Sequence, residues 1–105
     1  MATERIKQLQ QYYAEDPHDP FNIYALALEY LRLEPAKARQ LFDILLAHHG
    51  EYLPTYYHAA RFFQDSGEKE KAIKIFQSGI ALARKLNNSK ALRELQSAYD
   101  ELTFE

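Results

Sequence analysis

The side chains in this chain best suited to proton transfer or metal ligation are four histidines, His18, His48, His49 and His58. Imidazole titrates near neutrality and is the commonest protein metal ligand. A helix that chelates an ion needs its histidines three or four residues apart. His48 and His49 are adjacent, so on a helix they point about 100° apart and do not readily share one ion. Their place at the end of a helical segment suits the negative end of the helix dipole. The acids Glu29, Glu68, Glu70 and Glu94 fall singly on helical surfaces, with no spacing that pairs two carboxylates. Ser66-Gly67 and Ser78-Gly79 read as turn and packing sites, and neither a glycine-rich phosphate loop nor a nucleophile elbow occurs. The chain has no cysteine, which excludes disulfides, thiolate metal sites and a cysteine nucleophile. The expectation is a chain that is not an enzyme and holds no metal and no cofactor.

Composition narrows the class further. Of the 105 residues, 47% are hydrophobic and 27% charged, the profile of a folded chain, and the length suits a single domain over residues 1–105. The net charge of −2 disfavours a sequence-independent grip on nucleic acid. Residues 1–52 hold 5 Lys/Arg against 8 Asp/Glu, and residues 53–105 hold 8 against 7, an asymmetry too small to name a partner. The opening MATERIKQLQQYY has no apolar run of signal-peptide length. No stretch approaches the roughly 20 apolar residues that span a bilayer. These features predict a cytoplasmic protein that does not engage a membrane.

Apolar residues recur at helical intervals throughout, and strand signals are nearly absent. A first helix over 3–14 places Ile6, Leu9, Tyr12 and Tyr13 inward and stops at EDPHDP. Asp19-Pro20 opens a second helix, to about Arg32, that is apolar nearly all round. Pro35 opens a third, to His48, with Ala38, Leu41, Phe42, Leu45 and Leu46 inward and Gly50 as its stop. A fourth runs from Pro54 to Asp65 and halts at Ser66-Gly67. A fifth, Lys69 to Lys85, turns Ala72, Ile73, Phe76, Ile80 and Leu82 or Ala83 inward. Asn87-Asn88-Ser89 breaks it, with Ser89 as cap of a sixth helix to Leu102 that carries Leu92, Leu95, Tyr99 and Leu102 on one stripe.

Two of these segments repeat each other. Ala38, Phe42 and Leu46 fall on Ala72, Phe76 and Ile80 at a constant interval of 34 residues, the period of tetratricopeptide repeats. Residues 55–82, TYYHAARFFQDSGEKEKAIKIFQSGIAL, resemble one complete repeat of that family. Tyr56 and Phe63 stand at its aromatic positions, Ala59-Ala60 and Ala72 at its small positions, Gly67 in the turn, and Phe76 and Gly79 in the second helix. Small residues at a helix crossing let the backbones approach. Ile23, Leu26, Ala27 and Tyr30 match Tyr56, Ala59, Ala60 and Phe63, with a turn one residue shorter and no turn glycine. The chain is thus similar to small bacterial-type tetratricopeptide repeat proteins. The resemblance implies an all-α solenoid of antiparallel helix hairpins: a half repeat at 3–14, repeats at 20–48 and 54–86, and a capping helix at 89–102.

The resemblance also implies a function. In the family, the first helix of each hairpin lines a concave face that receives proteins, often peptides. Carried over by position, that face takes Phe21, Tyr24, Ala25, Leu28 and Arg32 from one helix, and Tyr57, His58, Arg61, Gln64 and Asp65 from the next. Tyrosine and arginine are the residue types that most often dominate interface energy. Some members grip a C-terminal carboxylate with Lys and Asn; with Leu28 and Arg61 at the corresponding places, this chain does not match that clamp. The expected function is a non-catalytic module or scaffold for a protein or peptide partner. The alternatives are a homodimer formed through apolar ends (Ile6, Tyr12, Leu102 and Phe104) and a regulatory subunit of an enzyme complex.

Overall fold

The computed structural model describes residues 2–104, which form six helices and no strand: α1 (Ala2–Glu15), α2 (Pro20–Leu33), α3 (Pro35–His48), α4 (Thr55–Asp65), α5 (Lys69–Lys85) and α6 (Ser89–Thr103). Each boundary lies within two residues of the one read from the sequence. No helix among the described residues is long and apolar enough to cross a membrane. The chain divides into two compact units, Met1–Tyr52 and Leu53–Glu105.

In the first unit, α2 packs between α1 and α3. Asp19 caps α2, its Oδ1 accepting the Phe21 N–H at 2.9 Å, and Pro20 takes the first helical position. The Asn22 side chain donates to the carbonyls of Tyr12 (3.2 Å) and Asp16 (3.3 Å), which also accept the Asp16 and Asp19 N–H groups, and so ties down the end of α1 where the prolines forbid continuation. Leu9 is the buried anchor of α1, and the Gln10 amide donates to the Tyr30 hydroxyl at 2.6 Å. Tyr12, expected inward, is 42% exposed, and its hydroxyl accepts a hydrogen bond from the Gln8 amide at 2.9 Å. Glu34 alone joins α2 to α3, serving as the C-cap of one and the N-cap of the other. Ala38, Phe42 and Leu45 are fully buried, while Leu46 is only half-buried. Gly50 follows α3 without a left-handed conformation; the helix closes through the His49 N–H donating to the Leu45 carbonyl.

The second unit is a hairpin of α4 and α5 followed by α6. Gly67, at φ +80, ends α4 in a Schellman arrangement: Glu68 N–H donates to Phe63 O (2.9 Å) and Gly67 N–H to Gln64 O (3.1 Å). Asn87, at φ 56, does the same for α5, with Asn88 N–H to Ala83 O (2.9 Å) and Asn87 N–H to Arg84 O (3.1 Å). The cap of α6 is Asn88 rather than Ser89; its Oδ1 accepts the Ala91 N–H at 3.0 Å. In α5 the inward residues are Ala72, Ile75, Phe76, Gly79, Ile80 and Ala83. Ile75 thus replaces Ile73, because the helix rotates its Gly79 stripe onto α4 and α6. A Cβ on Gly79 would lie 2.7 Å from Tyr56 Cβ and 3.2 Å from Leu95 Cδ1. In α6, Leu95 and Ala98 are buried, and Leu92, Tyr99 and Leu102 are half-buried.

The two hairpins share a further detail at the repeat interval. The Lys37 ammonium lies 5.4 Å from the Tyr30 ring, and the Lys71 ammonium lies 3.9 Å from the equivalent Phe63 ring. In each hairpin a lysine early in the second helix covers the aromatic late in the first, a cation–π contact that also shields the ring from water.

Candidate functional site

Along α2, Phe21, Tyr24, Leu28 and Arg32 fall on one stripe by helical periodicity. Phe21 and Arg32 are exposed, Tyr24 and Leu28 half-buried. Ala25, expected beside them, belongs to the core. The Tyr24 ring meets Tyr52 edge-on, with centroids 5.6 Å apart. Burial, and secondarily Tyr52, push the Tyr24 phenol above its usual range; burial and then Asp19 do the same for Tyr52. Both therefore stay neutral as donors and acceptors under ordinary conditions. Next to this pair lies a cleft of ≈ 510 Å³ lined by Pro20, His48, His49, Gly50, Glu51 and Tyr52. Among the described residues no three His, Asp or Glu side chains are grouped to hold a metal ion.

On α4, Tyr57, His58, Arg61 and Gln64 are half-buried and Asp65 is exposed. The Arg61 guanidinium lies 5.9 Å from the Tyr57 ring centroid, and the His58 ring stands nearly perpendicular to Tyr57 at 5.6 Å. Burial lowers the His58 pKa below its usual 6.5. The imidazole is therefore neutral at physiological pH. Gln64 Oε1 is buried with no hydrogen-bond partner among the described residues.

Between α4 and α6 runs a cleft of ≈ 400 Å³, lined by Tyr57, Arg61, Arg93, Glu94, Ser97, Ala98 and Glu101. Gly79 lies against both Tyr56 of α4 and Leu95 of α6, so the two helices pack on the same stretch of α5. Tyr57 and Arg61, expected from the sequence, line one wall. The other wall is α6, none of whose residues was among the expected site residues. Its signal is present in the sequence: Leu92, Leu95 and Tyr99 follow Tyr56, Ala59 and Phe63 by 36 residues. The same offset carries Tyr57 to Arg93, Arg61 to Ser97 and Asp65 to Glu101. Arg61 and Arg93 have no carboxylate within ion-pair distance among the described residues. Both side chains line the cleft.

No protein-family model matches the chain, and no curated protein matches it. Solved structures do. A solution NMR structure of a tetratricopeptide repeat domain protein from Salinibacter ruber is 36% identical, with a TM-score of 0.79 over 86% of this chain and 93% of that one. A crystal structure of a tetratricopeptide repeat domain protein from the same organism is 34% identical, with a TM-score of 0.78 over 82% and 98% of the two chains. With two hairpins built on Ala27/Ala38 and Ala59/Ala72, the chain belongs to the tetratricopeptide repeat family of protein-interaction modules.

Proposed function

We propose that this protein is a non-catalytic interaction module that binds a peptide or a helix on the faces of its first helices. These are Phe21, Tyr24, Leu28 and Arg32 in the first unit, and Tyr57, His58, Arg61, Gln64 and Asp65 in the second. The observation that carries this reading is the α4–α6 cleft, where Arg61 rests over Tyr57 and Arg93 faces it from α6. Tyrosine contributes a broad surface with few rotors to freeze, and arginine a planar set of donors suited to carboxylates or main-chain carbonyls. Neither arginine has a carboxylate within ion-pair distance among the described residues, so a ligand can engage them without first breaking such a pair.

The test is selection of binding peptides from a random displayed library, followed by mapping on ¹⁵N-labelled protein. The expected result is chemical-shift change at Tyr57, Arg61, Arg93 and Ser97, with little at the exposed Lys74 of α5. Tyr57→Ala and Arg61→Glu should each leave the helical signal intact and weaken binding about tenfold or more, the scale of an interface hot spot. Unchanged affinity in both variants would refute the reading.

A further inference from the structure

The solvent face of α6 carries a charge order that its own helix does not favour. Lys90, Arg93, Glu94, Ser97, Asp100 and Glu101 are all exposed and lie within about 60° of Ser97 around the helix axis. Leu95 and Ala98 are buried on other sides. The bases Lys90 and Arg93 occupy the N-terminal half, the acids Asp100 and Glu101 the C-terminal half. The helix dipole favours the reverse, acids at the N-terminus and bases at the C-terminus. The first turn of α6 holds no acid and its last turn no base, whereas α5 follows the dipole with Glu70 at its start and Arg84 and Lys85 at its end. No ion pair within the unit offsets this: Lys90, Arg93 and Glu101 make none among the described residues, and the Asp100 carboxylate accepts only the Gln96 amide, at 3.0 Å.

We infer that this face pairs with the same face of a second copy, the two α6 helices antiparallel and related by a two-fold axis at Ser97. An isologous contact sets each patch against itself in reverse. Lys90 and Arg93 of each copy then meet Asp100 and Glu101 of the other, and the two opposed dipoles attract. The small Ser97 at the crossing lets the helices approach closely. The exposed large apolar residues of this unit, Leu86 (51%) and Phe104 (84%), flank opposite ends of α6. Antiparallel pairing therefore carries each Phe104 toward the partner's Leu86 end. Glu94 lies level with Asp100 of the partner subunit in this arrangement, a like-charge approach that opposes the contact and keeps it weak. A single face of a 15-residue helix is smaller than the roughly 800 Å² per partner of a standard stable interface. Pairing is thus a concentration-dependent equilibrium. It also draws on Arg93, Ser97 and Glu101 of the α4–α6 cleft, so a second copy and a ligand compete there.

Sedimentation equilibrium of the full chain, from about 10 µM to 1 mM, tests this. The expected result is a mass that rises from monomer toward dimer and falls back with salt, since exposed charge pairs are screened. Lys90→Glu/Arg93→Glu should remain monomeric. Adding Asp100→Lys/Glu101→Lys to that variant restores complementarity at unchanged net charge, and should restore the dimer. Because the chain has no cysteine, Ser97→Cys provides a second readout: oxidation should link two copies, whereas Lys74→Cys on α5 should not. A wild-type mass that stays monomeric over this range, a four-fold swap that stays monomeric where wild type pairs, or equal cross-linking at both positions would overturn the inference. Circular dichroism of each variant separates these results from unfolding.

Discussion

Gly79→Ala should destabilise the protein, although the same change in most helix interiors stabilises. Gly79 sits inside α5, where replacing glycine by alanine gains about 1 kcal/mol in helix propensity. Against that gain stands the space. The added methyl would lie 2.7 Å from Tyr56 Cβ, 3.0 Å from Tyr56 Cγ and 3.2 Å from Leu95 Cδ1. Leu95 Cδ1 ends a flexible side chain and can rotate away. Tyr56 Cβ cannot, because the α4 backbone fixes it. The α4–α5 crossing must therefore open by several tenths of an ångström, which thins contacts around the buried Ala59, Ala60 and Phe76. Overpacking of this kind costs roughly 1–3 kcal/mol. The net expectation is a loss of about 1 kcal/mol, or about 4–8 °C in Tm for a domain of this size. Thermal and urea unfolding monitored by far-UV circular dichroism measure it, with Ser78→Ala as the control. Ser78 is exposed one residue away, so that variant gains propensity without meeting a neighbour and should raise Tm slightly. If Gly79→Ala also raises Tm, the helices do not approach as closely as the glycine contact indicates, and the argument for small residues at this crossing fails.

The remaining predictions concern the capping of α6 and the histidine beside the cleft. Asn88→Ala should cost about 1 kcal/mol, since it removes the side-chain acceptor for the Ala91 N–H, while Ser89→Ala should be close to neutral; the reverse order in urea midpoints would restore Ser89 as the cap. His58 has a folded-state pKa below its unfolded value of about 6.5, so the unfolded chain binds the proton first as pH falls. Its contribution to stability is complete well above pH 6.5 and shrinks as pH drops below it. The Tm difference between wild type and His58→Gln should therefore narrow or reverse between about pH 7.5 and pH 5, and a pH-independent difference would show that burial does not set this pKa. The ionisation of Tyr24 and Tyr52 should follow that of free tyrosine at higher pH in a spectrophotometric titration, because burial holds both phenols neutral.

The helices were legible because their signals are local. Asp19-Pro20, Pro35, Gly67 and Asn87-Asn88 act through backbone geometry within a few residues, and the structure uses each of them. Gly50 is the exception: its turn closes through His49 and needs no left-handed residue. The inward faces were less legible, for a physical reason. A helix pattern fixes which residues share a stripe, but the rotation of that stripe is set by the partner helix. Ile73 and Ile75 are equally apolar, and only the contact of Gly79 with both Tyr56 and Leu95 selects Ile75. Tyr12 likewise fits the stripe of Ile6 and Leu9 within the tolerance of periodicity. Its exposure follows from the single neighbour, α2, against which α1 packs.

The α6 wall of the cleft shows the same limit acting on function. Reading α6 only as a cover leads one to ask what it hides, and its half-buried stripe of Leu92, Tyr99 and Leu102 answers that question. The register does more. A helix that occupies the first-helix place of a repeat must present to the cleft whatever stands at the positions of Tyr57, Arg61 and Asp65, because the spacing that packs Leu95 against Gly79 also fixes the direction of its neighbours. Packing residues and site residues on one helix are thus set by a single rotation. Once Leu92, Leu95 and Tyr99 are matched to the preceding repeat, Arg93, Ser97 and Glu101 follow without further assumption. The same rotation leaves Lys90, Arg93, Asp100 and Glu101 on the solvent side, where their order against the helix dipole is visible only after the core face has been assigned.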